Sequence, residues 1–280
     1  MTTLNCKLLL PGLAILLLAG CLGNNQKEIQ STIVTTKNST VNKPEQTAQK
    51  FKGTKVPVLC YHAIREILKG DSPEQKTYSV SPENFALQMK TLADNGYTTV
   101  TPDQLKDFYT TNGPLPEKPI MVTFDDGRKE QYTIGAQIME KHNFRGVFFI
   151  MTVSLGKNHY MSRDDVKALS DKGHIIGCHT WDHHKVTGYN NEDWKLQLAK
   201  PKKQLEKITQ KPVTTFAYPY GLWNYAATDS LKSHGFTTAF IFYGKQDATR
   251  PLYTLERINI PNSLKIENFI KKIEKSGLDN

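Results

Sequence analysis

Ile120-Met121-Val122-Thr123-Phe124-Asp125-Asp126-Gly127 is a short apolar run of β-formers that breaks abruptly into two carboxylates and a glycine. A run of this length, closed by a turn signal, reads as a buried strand. Three more runs end the same way. Val56 to Tyr61 runs into His62, His174 to Cys178 into His179-Thr180-Trp181-Asp182-His183-His184, and Val213 to Tyr218 into Pro219-Tyr220-Gly221. Gly146 to Ile150, Thr237 to Phe242 and Arg257 to Ile260 are further strand candidates. Helical patterns lie between them. Ser81-Pro82 opens one, with Ser as N-cap and Pro in the first turn, an apolar stripe of Phe85, Met89 and Leu92, and Gly96 at its end. Others cover Glu130 to His142, a Ser162-capped segment through Asp171 to Gly173, the region around Trp194 to Ile208, and Tyr225 to His234. Ile266, Phe269, Ile270 and Ile273 mark a closing amphipathic helix. Strands alternating with helices predict an α/β fold with a parallel sheet. Seven such units favour a closed or nearly closed β/α barrel, with a doubly wound open sheet as the alternative. In both, chemistry sits at strand C-terminal ends, which is where the polar residues fall.

The chain has 280 residues, 36 Lys or Arg against 27 Asp or Glu, a net charge of +9, 38% hydrophobic and 22% charged residues. These values exclude a polytopic membrane protein and a wholly disordered chain. The four cysteines are too few for a disulfide scaffold. The positive excess suits anionic polymers, but the lysines are dispersed and mark no nucleic-acid stripe, so no nucleic-acid partner is expected.

Residues 1–20 read as an export signal. Lys7 precedes the apolar run Leu8 to Ala19, which is too short to span a bilayer comfortably. It ends in Leu18-Ala19-Gly20-Cys21, which looks like a bacterial lipobox, implying lipidation of Cys21 and a protein exported and anchored to the outer face of the bacterial cell membrane. Residues 21–54 read as a tether, rich in Asn, Gln, Thr and Lys and without apolar periodicity. The folded domain then covers 55–280.

His179 and His183 are four residues apart and can meet on a helical turn or in a tight loop. With one carboxylate they make a two-His-one-carboxylate metal site with open positions. The adjacent His184 leaves the choice of second histidine open. Asp125-Asp126 supplies the carboxylate: neighbours leaving a strand point to opposite sides, so one can hold a metal while the other faces water. Asp-Asp-Gly is also ordinary turn chemistry.

Thr123-Phe124-Asp125-Asp126-Gly127 and His179-Thr180-Trp181-Asp182-His183 together resemble the first two signatures of the polysaccharide deacetylases (carbohydrate esterase family 4, the NodB-homology domain). The resemblance covers about Lys55 to Lys275. It implies a distorted, seven-stranded (β/α) barrel and a divalent metal, zinc by preference, used to remove N- or O-acetyl groups from polysaccharides. It implies Asp125 as general base, Asp126, His179 and His183 as metal ligands, and the backbone N–H of Tyr220 as an oxyanion donor. Pro219 fixes that turn, and Trp223 is a candidate to stack on a sugar; both are read as substrate-binding. Two features depart from the family. Ala217 stands where the arginine of the third motif is usual, and Arg257 is a candidate to supply the missing charge. The late Leu-x-His motif is absent, and His62 is the candidate general acid. Its Tyr61-His62 pair resembles the branch that deacetylates poly-β-1,6-N-acetylglucosamine. Cys60 and Cys178 read as zinc ligands, a disulfide, or buried apolar residues.

The expected function is therefore metal-dependent N-deacetylation of an N-acetylglucosamine-containing extracellular polysaccharide, a poly-β-1,6-linked biofilm polymer first. Peptidoglycan N-acetylglucosamine, O-acetyl esters, and a catalytically decayed carbohydrate-binding lipoprotein are the alternatives. The sequence leaves the oligomeric state open.

Overall fold

The computed structural model of the chain describes residues 55–278. The expected signal at 1–20, the tether at 21–54 and the lipidated Cys21 lie outside the described residues. Among the described residues no helix is long and apolar enough to cross a membrane.

Seven strands form the continuous path of the main sheet: β1 (Val58–Tyr61), β2 (Pro119–Phe124), β3 (Gly146–Ile150), β4 (Ile175–Cys178), β5 (Thr215–Ala217), β6 (Thr238–Phe240) and β7 (Ile258–Asn259), and the two-residue strand Thr98–Thr99 pairs with the start of β2 off that path. Their order is β7-β1-β2-β3-β4-β5-β6, and every pairing is parallel. The last strand lies beside the first, as barrel closure requires. At the seam, Phe240 bridges Leu255 just ahead of β7. The Ile241 N–H donates to the Leu255 carbonyl at 2.9 Å, and the Leu255 N–H to that of Ala239 at 3.0 Å. The sheet thus curls into a distorted (β/α) barrel, and the open-sheet alternative falls.

The period of two along each strand sorts side chains between two buried layers. Val58, Met121, Phe149, Ala217 and Phe240 pack together with Leu105, which comes from the helix Pro102–Thr111 and caps one end of the curl. Their neighbours Leu59, Val122, Phe124, Phe148 and Phe216 pack outward with helix residues Phe85, Met89 and Phe269. Asp125 follows the inward set, in phase with Met121 and Thr123.

Helix starts follow the expected chemistry. Ser81 caps Pro82–Asp94, accepting the Asn84 N–H, and Ser162 caps Arg163–Asp171. Several elements were not anticipated, the short strand Thr98–Thr99 among them. The helix Pro102–Thr111 is another, and three more form a unit after β1: the strand pair Ala63–Ile64 and Ser79–Val80, with the short helix Pro73–Thr77 between them. The helical stretch at 131–140 opens as a π-helical turn, Gln131–Ala136. Such turns often mark functional sites. Here the turn brings buried Gln131 beneath the strand ends, where its Nε2 donates to the carbonyls of Asp125 at 2.5 Å and His62 at 2.8 Å.

Candidate active site

The C-terminal ends of the strands open on a cavity of about 350 Å³. His62, Asp125, Asp126, His179, His183 and Tyr220 all line it, although they come from the ends of four different strands. Pro219 and Trp223, expected to bind substrate, are not among its lining residues. Pro219 is buried in the turn, and Trp223 packs half-buried against the core with its ring edge-on to Tyr225.

Strand alternation alone would turn Asp126 away from Asp125. The chain corrects this with left-handed backbone at Asp126 (φ 78°) and Gly127 (φ 74°), so both carboxylates face the cavity. Asp126 Oδ1 lies 3.8 Å from His179 Nε2 and 3.8 Å from His183 Nε2. These separations exceed a hydrogen bond and suit donors arranged around a shared ion. All three ligand atoms lie within 4.8 Å of one another. The His179 Nδ1 lies 2.7 Å from the Ala217 carbonyl, which assigns the proton to Nδ1 and leaves the Nε2 lone pair toward Asp126. His183 sits in a tight loop, not on a helix; its N–H donates to Thr180 Oγ1 at 2.9 Å, and both residues have positive φ. Burial, and then the neighbouring His179, bring the His183 pKa down to about 4, so its ring is neutral near pH 7. His184 is 74% exposed and pairs with Asp182, which settles which histidine joins the cluster. The Asp-His-His donor set fits a divalent cation.

Asp125 is buried, and Arg257 grips it with a two-pronged fork: Nη1 to Oδ1 at 2.6 Å and Nη2 to Oδ2 at 2.8 Å. Burial pushes the carboxyl pKa up, but the Arg257 charge and hydrogen bonds, with His179 and His62, outweigh it and hold it well below the usual carboxylate range. Arg257 is itself buried, between the rings of Phe149 and Phe242, with its Nε donating to the Ile241 carbonyl. It supplies, from just ahead of the strand beside β1, the charge that Ala217 lacks.

His62 Nε2 lies 3.9 Å from Asp125 Oδ2, and its ring is flanked by Tyr78 at 4.8 Å and Phe242 at 5.7 Å. Burial lowers its pKa despite the opposing pull of Asp125 and Asp126, so it is neutral near pH 7. Cys60, 4.0 Å from His62 Nδ1, and Cys178 are both free and buried. Burial pushes the Cys178 thiol up to about 12 and raises that of Cys60. Cys60, His62 and Asp125 form a second potential ligand group, but Arg257 occupies both Asp125 oxygens.

Tyr220 (φ 58°) stands half-exposed at the mouth, its ring 4.6 Å from that of His183. Tyr78 and Tyr243 join their hydroxyls at 2.9 Å on the wall beside His62. Nothing in the sequence reading pointed to these two, or to Gln131, because their relevance depends on long-range packing.

Residues 112–239 match the family model for polysaccharide deacetylases. The crystal structure of BC0361, a polysaccharide deacetylase from Bacillus cereus, is similar with a TM-score of 0.67 at 30% identity, covering 79% of this chain and 69% of that one. The poly-beta-1,6-N-acetyl-D-glucosamine N-deacetylase of Staphylococcus aureus is 28% identical over 217 residues, covering 68% of this chain and 73% of that protein. The peptidoglycan-N-acetylglucosamine deacetylase of Bacillus cereus is 30% identical over 164 residues, covering 58% of this chain and 57% of that protein.

Proposed function

The chain belongs to the polysaccharide deacetylase family, and from that membership we propose that it hydrolyses N-acetyl groups on an N-acetylglucosamine-containing extracellular polysaccharide to acetate and free amine. The observation that carries this reading is the single cavity that collects Asp125, Asp126, His62, His179 and His183.

Asp126, His179 and His183 would hold a divalent cation, zinc by preference. Such an ion supplies Lewis acidity at the acetyl carbonyl and at the attacking water. Asp125 is ionised at any working pH and accepts the water proton. Because Arg257 stabilises its anion, Asp125 is a weak base that gives the proton up readily. His62, neutral at rest and 3.9 Å away, is placed to receive that proton and pass it to the departing amine. The proton lost by water thus ends on the leaving group. The backbone N–H of Tyr220 is the proposed donor to the tetrahedral oxyanion.

A poly-β-1,6-linked biofilm polymer is the first candidate substrate. His62 just after the first strand, in place of a late histidine, supports it, as does the likeness to the staphylococcal enzyme. Peptidoglycan is the second candidate. The lipobox-like Leu18 to Cys21 supports an enzyme held to the outer membrane face beside its polymer. The test is acetate release by the full chain in detergent from β-1,6- and β-1,4-linked N-acetylglucosamine oligomers, with chelator and with restored zinc. Acetate release that the chelator abolishes and zinc restores is expected. No acetate from either oligomer, with metal bound, would remove the reading.

A further inference from the structure

The backbone ladder between β1 and β2 ends where the Asp125 N–H donates to the Tyr61 carbonyl at 3.0 Å. One residue further on, the carbonyls of His62 and Asp125 have left the ladder. Gln131 Nε2 spans them, with one amide hydrogen for each, at 2.8 Å to His62 and 2.5 Å to Asp125. Neither carbonyl accepts another hydrogen bond among the described residues. The Gln131 amide therefore stands in for a missing rung. It joins the segment that carries the proposed acid to the one that carries the proposed base.

Stability alone does not account for this residue. Its Oε1 is buried without a hydrogen-bond partner, and buried polar atoms are rarely left bare. Flipping the amide would set that oxygen against two carbonyls, so its orientation is fixed. Gln131 also opens the π-helical turn, which packs closely under the segment after His62: a Cβ on Gly135 would come within 2.5 Å of Ile64 Cδ1. The two residues that Gln131 joins are otherwise held unequally. Asp125 has the Arg257 fork. The His62 ring is flanked by Tyr78 and Phe242, and its one side-chain hydrogen-bond contact is the long 4.0 Å approach of Nδ1 to Cys60 Sγ. The backbone therefore does most to place His62, and Gln131 holds that backbone.

We propose that Gln131 is a positioning residue that sets the gap between His62 and Asp125, and with it proton delivery to the departing amine. The inference rests on the deacetylase reading and extends it to a residue that does not line the cavity. In that reaction the water oxygen bonds to the acetyl carbon. The C–N bond breaks with its electron pair staying on nitrogen, and the nitrogen takes the proton that His62 received from Asp125. Gln131 carries no proton itself. Its loss falls on the step that needs His62, because Arg257 still holds Asp125.

The test compares an N-acetylglucosamine pentamer with 4-nitrophenyl acetate, using the zinc-loaded full chain and its Gln131→Met variant, which keeps the side-chain length and loses both donors. The aryl ester's leaving group departs as an anion with its electron pair and needs no proton. On the pentamer, kcat should fall roughly tenfold with KM and zinc content unchanged, a part of what a general acid contributes. On the ester the rate should stay within about twofold, since His62 has no proton to deliver there. In the His62→Ala chain, Gln131→Met should cost nothing further, because residues that act through one step are not additive. Gln131→Asn, which keeps the amide on a shorter arm, should fall between, and it carries the test if Gln131→Met does not fold. Equal losses on both substrates, an unchanged pentamer kcat, or a further loss in the His62→Ala chain overturns the proposal. If the wild type releases no acetate from the pentamer, the deacetylase reading fails separately. Crystal structures of the wild type and the variant then still decide whether Gln131 sets the gap: a His62 Nε2 to Asp125 Oδ2 separation that stays at 3.9 Å overturns the proposal, and a widened one upholds it.

Discussion

Arg257 and Asp125 form a buried pair whose halves are costly to separate. Replacing Arg257 with Met would leave a buried carboxylate without its counter-charge, at a cost of about 3–5 kcal/mol measurable by urea unfolding. The same change should move the acid limb of the pH–rate profile upward. In the native chain the Asp125 pKa is depressed, so the carboxylate persists until the pH falls far below the usual carboxylate range. Without Arg257, burial dominates, and protonation sets in at higher pH. Arg257→Lys keeps the charge but loses the fork, and should fall between the two. An unshifted acid limb in Arg257→Met would show that this arginine does not tune the base. Asp125→Asn should abolish turnover yet retain metal through gel filtration, whereas Asp126→Ala should lose both; metal analysis of the two proteins separates base from ligand. In the sequence, the missing arginine at Ala217 was visible and its replacement was only a candidate. Arg257 is distant from Asp125 along the chain, and only closure of the curl brings β7 beside β1, next to β2.

The turn after β5 carries the mouth of the cavity, and its geometry depends on Gly221. This residue has φ 68°, and a Cβ there would come within 2.4 Å of the Phe242 backbone nitrogen and Cβ. Gly221→Ala should therefore cost about 2 kcal/mol or more, combining positive-φ strain with a backbone clash. Because Phe242 flanks His62, the acetate-release rate should fall at temperatures where the protein remains folded. A variant with native melting temperature and rate would show that the turn yields freely. Elements with their own start and stop signals could be read from sequence: Ser81, Ser162 and the run from Gly146 to Ile150 all appear where expected. The helix Pro102–Thr111 was missed although its signal was present. Thr101 and Gln104 make a reciprocal capping box around Pro102. Thr101→Ala should cost about 1 kcal/mol on urea unfolding. The two-residue strands around His62 had no comparable local signal. They exist because Ala63–Ile64 and Ser79–Val80 pair with each other and are buried together.

Across the whole domain, the polar groups buried to build the site should make the protein sensitive to mild acid. His62, His174 and His183 all have lowered pKa values, each chiefly through burial. For each, the unfolded chain takes up a proton first, near the ordinary histidine value of about 6.5. Stability is therefore full above that pH and declines as pH falls, until the folded imidazoles also protonate, for His183 at about 4. Asp125 is shifted in the same direction but from a lower starting value, so its contribution is retained through this window and lost only below the usual carboxylate range. His174 lies away from the cavity and can be tested without touching the proposed chemistry. Its Nδ1 accepts the Gly146 N–H at 3.0 Å, a bond that protonation would break. Urea unfolding of the metal-free protein should thus show stability falling from pH 6.5 to 4. His174→Gln, which retains an acceptor but does not titrate, should flatten part of that fall. A divalent cation at the Asp126 site should add about 2.7 kcal/mol at a hundred times its Kd. That increment should vanish as His183 takes up its proton near pH 4, because a protonated imidazole has no lone pair to offer. Stability that stays level from pH 7 to 4.5 in the metal-free protein would mean these histidines are not buried neutral, and would remove the physical basis for His183 as a ready ligand.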